Sequence, residues 1–186
     1  FADQFRASDI LHRLGLEDDG YILVTAHRSE NVDNPANLAK LMTALGRLHV
    51  LLKREVLYPM HPRTRSRMSG IEVPPGIRVI PPLGFFDFNR LVIGCHLYLA
   101  DSGTAPEEAL FYKKPYVSVR MSTERYETVE GAGSIVAGLE PDDIVGAAKV
   151  ALASKLLGRY EFEEGFEPSQ VVVNILRSRI TNFHQS

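Results

Sequence analysis

His27 and Arg28 stand together in Thr25-Ala26-His27-Arg28-Ser29-Glu30-Asn31, directly after the apolar run Tyr21–Val24. An imidazole and a guanidinium at the end of such a run suit an anion, since the first can donate to a phosphate oxygen and the second can grip one with a two-pronged fork. The same residues could instead lace a loop to the next helix. His61-Pro62-Arg63-Thr64-Arg65 repeats the theme after Glu55–Pro59. Pro62 there pre-sets a first helical turn, so a plain helix start with solvated arginines is the simpler reading. In Gly84-Phe85-Phe86-Asp87-Phe88-Asn89-Arg90-Leu91 the aromatics at 85, 86 and 88 cannot share one helical stripe. At least one is left to line a cleft where a planar base could pack, or to fill a loop.

The most informative stretch is Leu97-Tyr98-Leu99-Ala100-Asp101-Ser102-Gly103-Thr104-Ala105-Pro106-Glu107-Glu108-Ala109, which reads as strand, tight turn and helix. Thr104 and Glu107 have the spacing of a capping box, and Pro106 falls in the first turn, where a missing N–H costs nothing. The free N–H groups of a helix starting near Ala105 would face whatever lies over Ser102, Gly103 and Thr104, and Gly103 permits close approach to the backbone. That describes a phosphate site. With Glu107 engaged in the cap, Glu108 remains as a carboxylate able to accept from two vicinal hydroxyls. A capped helix with two solvated glutamates is the competing reading. The turn is neither G-x-G-x-x-G nor a Walker A loop. In Arg120–Glu130, finally, Arg125 is flanked by acids, which fits an ion pair as well as it fits anion binding.

These residues need a scaffold, and composition bounds it. The 186 residues carry 21 Lys plus Arg against 23 Asp plus Glu, a net charge of −2, with 45% hydrophobic and 24% charged residues. That is one globular domain with a core, and it lacks the basic footprint of a nucleic-acid binder. The single cysteine, Cys95, allows neither an intrachain disulfide nor a cysteine metal cage, so a reducing, cytoplasmic setting is expected. No apolar run approaches membrane-spanning length, and the start lacks the features of a signal peptide. The first residue is Phe1 rather than Met. A piece of a longer protein is therefore expected.

Short apolar runs alternate with 3.6-period stretches, which predicts an α/β fold with a doubly wound, Rossmann-like parallel sheet. Expected strands are 21–26, 55–60, 77–80, 95–100, 115–119 and a short one at 134–137. Expected helices are 36–52, with Asn34 as cap and Pro35 in the first turn, then 62–68, 87–94, 105–112 and 142–157. Residues 2–14 lead into the first strand. Glutamate-rich 159–168 reads as a loop, and 170–183 as the closing helix. Ligands of such sheets bind beyond the carboxyl ends of the strands, where the clusters above fall.

In order and rough spacing the clusters resemble the carboxyl-terminal half of the non-hydrolysing UDP-N-acetylglucosamine 2-epimerases of bacteria and archaea. The resemblance rests on Ala26-His27-Arg28-Ser29-Glu30-Asn31-Val32, His61-Pro62-Arg63-Thr64, the segment from Leu83 to Leu91 with Phe88, Asp101-Ser102-Gly103 with Glu107-Glu108-Ala109, and Thr123-Glu124-Arg125 with Glu127. It implies one half of a GT-B-type architecture, in which two Rossmann-like halves enclose the active site. Residues 1–186 would form a single UDP-binding domain, with 1–20 as lead-in helix and linker and 169–186 as closing helix, and the amino-terminal catalytic half would be absent.

The resemblance further implies that Phe88 lies by the uracil, that Glu108 takes the ribose hydroxyls, and that Ser102, Gly103 and Thr104 hold the diphosphate. His27 and Arg125 would complete the pocket near the phosphates, and His27 would be the catalytic candidate. The implied reaction eliminates UDP to an acetamido-glycal and re-adds it on the other face, inverting C2 without metal or nicotinamide cofactor. The base would sit on the other half, so this half is expected not to turn over alone. The full-length protein is expected to be a homodimer acting on a UDP-sugar, with neither nucleic acid nor membrane as partner. Thr104 and Pro106 stand where many members have Gly and Gln. That form looks more like the subgroup making amino sugars for capsule and O-antigen, and leaves open UDP-N-acetylglucosamine, a 6-deoxy-L-hexosamine or a diacetamido-uronic acid as the sugar. The nucleotide half of a GT-B glycosyltransferase and a non-catalytic nucleotide-sugar sensor are the alternatives.

Overall fold

The computed structural model describes residues 2–123 and 134–154. Helices α1 (Ala2–Arg6) and α2 (Ile10–Leu14) precede β1 (Tyr21–Thr25), and α3 (Ser29–Val32) and α4 (Pro35–Leu52) follow it. The chain continues through β2 (Glu55–Pro59), α5 (Pro62–Arg67), β3 (Ile77–Ile80), α6 (Phe85–Gly94), β4 (Leu97–Ala100), α7 (Ala105–Phe111) and β5 (Tyr116–Ser118). After β6 (Ile135–Val136) comes α8 (Pro141–Ala153). The strands form one sheet in the order β3-β2-β1-β4-β5-β6, every pairing parallel. This is the Rossmann order, and the direction of winding reverses between β1 and β4, where a crevice opens at the strand ends.

The central strands are apolar along their whole length because helices cover both faces. Tyr21–Val24 and Leu97–Ala100 are buried. On one face Leu38, Leu41, Leu45 and Leu48 of α4 meet Ile144 and Ala148 of α8 over Ile22, Val24 and Leu99. On the other, Ile10, Leu91, Val92, Ala105 and Ala109 cover Leu23, Tyr98 and Tyr116. Cys95 belongs to that second layer, where burial pushes its thiol up to about 12.

The expected strands appear within two residues of their bounds. Asn34 caps α4 as expected, its side chain accepting from Ala36 N at 2.9 Å with Pro35 in the first turn. The lead-in, expected as one segment, breaks in two. Ser8 leaves the helix to donate to Asp87 at 2.6 Å while its hydroxyl accepts from Ile10 N, so α2 starts afresh. Helix α6 begins at Phe85, two residues early, and α3 was not expected. Helix α8 runs from Pro141 to Ala153 and does not reach the expected end at 157, because Ser154 takes extended angles, φ −69° and ψ 123°; the loop 159–168 and the closing helix 170–183 lie outside the described residues.

Candidate functional site at the strand tips

The tips of β1 and β4 are fixed by hydroxyls from beneath. Tyr58 and Thr64 both donate to the Ala26 carbonyl, at 2.7 and 2.9 Å, and Tyr116 donates to the Ala100 carbonyl at 3.2 Å. Beyond them the chain turns around one wholly buried carboxylate, Asp101. Both its oxygens accept from His27 N, at 3.1 and 2.9 Å, and one also accepts from Arg28 N at 2.8 Å and Asn31 Nδ2 at 2.9 Å. Asn31 Nδ2 donates as well to the Val119 carbonyl at 2.9 Å, which adds the end of β5. The short helix α3 starts directly after these two anchored residues, with Asn31 N and Val32 N both donating to the Arg28 carbonyl at 3.0 Å. This arrangement closes the loop after β1 onto the end of β4, at the switch point.

His27 thereby projects over the crevice with its side chain 44% exposed, and its Nδ1 lies 3.6 Å from Asp101 Oδ1. The His61 ring stacks at a tilt beside it, centroids 5.7 Å apart. His61 Nδ1 accepts from Arg63 N at 3.2 Å and so caps α5. Arg63 pairs with Asp33, as does Arg67 at 3.3 Å, and these cations hold the Asp33 carboxyl below its usual range. The second basic cluster is therefore a capped helix start whose Arg63 and Arg67 are tied to the loop after α3. Arg28 faces Glu30, at 3.8 Å.

On the β4 side, Ser102 and Gly103 are half-buried and Thr104 is exposed. The Ser102 and Thr104 hydroxyls are 3.3 Å apart, and Thr104 N donates to Ser102 Oγ at 3.4 Å. The expected capping box between Thr104 and Glu107 is not formed. Thr104 has helical backbone angles, φ −94° and ψ −18°, and its side chain makes no cap hydrogen bond. An N-cap needs extended backbone to turn its oxygen onto the first-turn N–H groups. The Thr104 hydroxyl instead reaches Glu108 Oε1 at 3.5 Å. Glu108 is half-buried, and burial raises its carboxyl above the ordinary value despite that contact.

Of the three aromatics, only Phe88 turns toward the inner layer, its ring edge-on to Tyr98 at 6.4 Å. Tyr98 packs in turn on Tyr116 at 5.5 Å. Burial lifts the Tyr98 hydroxyl well above its usual value, and the nearby Glu108 charge adds to this, so Phe88, Tyr98 and Glu108 share one neighbourhood. Phe85 and Phe86 are exposed and pack with Phe5 of α1 instead.

His27, Phe88, Ser102, Gly103, Thr104 and Glu108 thus all lie at or beside the carboxyl ends of the strands, whereas Arg125 falls outside the described residues. Asn31 holds the loop as the lacing alternative expected, whereas Asp101 was not singled out from sequence. The available signal was a charged residue directly after the apolar run Leu97–Ala100. Two surface hollows, of about 370 and 610 Å³, lie elsewhere, between α4, Pro74 and, for the larger, Val145 of α8. Among the described residues no group of three or more His, Cys, Asp or Glu is placed to hold a metal ion, and no helix is long and apolar enough to cross a membrane.

Sheet order, helical layers and polar strand tips define a Rossmann-like α/β domain. The family model described as UDP-N-acetylglucosamine 2-epimerase matches residues 1–176, and the chain belongs to that family. It is 31% identical over 166 residues to the UDP-N-acetylglucosamine 2-epimerase of Methanococcus maripaludis, covering 86% of this chain and 45% of that one. It is 33% identical over 158 residues to the UDP-2,3-diacetamido-2,3-dideoxy-D-glucuronate 2-epimerase of Pseudomonas aeruginosa, covering 85% and 44%. The Methanocaldococcus jannaschii UDP-GlcNAc 2-epimerase, solved in complex with UDP-GlcNAc and UDP, superposes with a TM-score of 0.78 at 27% identity, over 95% of this chain and 50% of that one. The chain thus spans about half the length of the relatives it matches.

Proposed function

We propose that this chain is the UDP-binding half of a UDP-N-acetylhexosamine 2-epimerase, an isomerase that inverts C2 by eliminating and re-adding UDP. The observation that carries this reading is the loop after β1, closed by Asp101 onto the end of β4, which puts His27 at the same switch point as Ser102, Gly103 and Thr104. A relative with this fold was solved with UDP-GlcNAc and UDP.

In this reading the uracil packs by Phe88 and the ribose hydroxyls donate to Glu108. The hydroxyls of Ser102 and Thr104 and the backbone at Gly103 receive the diphosphate, with Arg125 and His27 closing on it. A carboxylate base elsewhere in the whole protein removes the C2 proton. As the C1–O bond breaks, its electron pair passes to the diphosphate, and donors already aimed at that oxygen lower the barrier. Re-addition of UDP at C1, with a proton delivered to the opposite face of C2, completes the inversion. The whole protein is a cytoplasmic homodimer in this reading. Similarity to the Pseudomonas aeruginosa enzyme supports a diacetamido-uronic acid, and with it an amino sugar for capsule or O-antigen, as a candidate substrate.

Calorimetric titration of UDP into the chain and into Glu108→Ala tests the nucleotide site. Loss of a paired contact to a charged group is expected to weaken binding by roughly 1.5–3 kcal/mol, about one to two decades. Equal affinity for both proteins would remove the ribose role of Glu108, and no binding to either would count against the UDP site.

A further inference from the structure

Asp101 does more than bind the loop. Its carboxylate is wholly buried, and both oxygens already accept N–H donors from the backbone and from Asn31. The edge it turns to His27 is therefore an acceptor. His27 Nδ1 lies 3.6 Å from Oδ1, just beyond hydrogen-bond distance, and contacts of this kind commonly tighten when a ligand fills the site. An acceptor facing Nδ1 selects the tautomer with the proton on Nδ1 and leaves Nε2 on the opposite side of the ring. The other groups around His27 do not reverse this choice. His61 has its own Nδ1 occupied as an acceptor by Arg63 N, and Arg28 faces Glu30 on the same loop.

We infer that Asp101 is a positioning residue for His27, holding its proton on Nδ1 and so leaving Nε2 to meet the departing diphosphate. The inference rests on the proposed role of His27. With Nδ1–H anchored inward, Nε2 is the nitrogen left to take up a second proton, and in the ring protonated there it presents Nε2–H outward as a hydrogen-bond donor to the diphosphate oxygen on which charge grows. With the opposite tautomer, the neutral ring would set an N–H toward the crevice but leave two acceptors facing each other at Asp101. The buried carboxylate thus sets the direction in which the imidazole works.

Long-range nitrogen–proton NMR on the 15N-labelled chain tests this directly, with His27 assigned by the signals lost in His27→Gln. The expected neutral form carries its proton on Nδ1. Two other histidines serve as internal standards: His49 Nδ1 faces the Arg54 carbonyl at 2.8 Å and should match His27, while His61 should show the opposite tautomer. A proton on Nε2 of neutral His27 would overturn the inference.

Titration of Asp101→Asn with UDP and with uridine gives a second, independent readout. UDP affinity should fall roughly tenfold or more while uridine affinity changes by less than about twofold, because only the diphosphate meets His27. His27→Gln in the same background should add no further loss. A parallel loss of both ligands, or of neither, would reduce Asp101 to a structural role. If the unaltered chain binds neither ligand, the UDP-binding reading fails by itself, and the tautomer decides the role of Asp101.

Discussion

Asp101 and Asn31, 70 residues apart in sequence, meet at 2.9 Å, and the same Asn31 amide nitrogen reaches the Val119 carbonyl at 2.9 Å. One side chain thus joins the loop after β1 to the ends of β4 and β5. Its loss leaves a buried carboxylate and a buried carbonyl each short of a donor. Asn31→Ala is expected to destabilise the chain by roughly 1–3 kcal/mol. Urea unfolding would show this as a lower midpoint with unchanged slope, and an unchanged midpoint would mean that the two acceptors find other donors.

Glu108 gives a prediction with a definite sign in pH. Burial raises its carboxyl in the folded chain, so the folded state binds the proton more tightly than the unfolded one. The resulting destabilisation is absent below the unfolded value and complete above the folded one. Glu108→Gln keeps an oxygen for the Thr104 hydroxyl and removes the charge. The unliganded variant is expected to melt at a higher temperature than the parent at pH 7, the gain shrinking toward zero as pH falls below the ordinary glutamate value. Thermal melts across that range decide the matter, and a gain that grows toward acid would refute it.

At Gly76 the backbone and its surroundings agree. Its φ is +81°, and a Cβ there would run into the His49 ring. The same turn supplies the carbonyl that accepts from Val56 N at the start of β2. Gly76→Ala is expected to cost about 1–3 kcal/mol, from the left-handed backbone and the displaced imidazole together. Gly70→Ala, also at positive φ but with open space at the Cβ position, should cost less. Chemical denaturation of the pair separates backbone strain from crowding.

What the sequence revealed of the fold was its periodicity. Apolar runs of four to six residues became strands, and the Asn34-Pro35 start of α4 was readable because capping is decided within three residues. The placement of the candidate clusters was legible to the same depth, since each follows a strand and ligands of such sheets bind beyond the strand ends. Partners distant along the chain were not legible. His27 N and Asp101 are separated by 74 positions, and Arg63 finds Asp33 across 30. The capping box at Thr104 failed for a related reason. Its residue spacing was right, but Thr104 took helical angles and its hydroxyl reached Glu108 one position further on, which residue types alone do not reveal.

The turn after β1 is held through main-chain N–H groups of His27 and Arg28, which any residue but proline supplies. The main-chain atoms that seat the tip are thus distinct from the two side chains the tip presents. Exchange of either side chain leaves the anchor to Asp101 in place, so the chemistry at this corner can be rewritten one residue at a time while the frame carrying it stands. If the crevice takes the diphosphate as proposed, the same division makes His27 and Arg28 natural positions for tuning its preference.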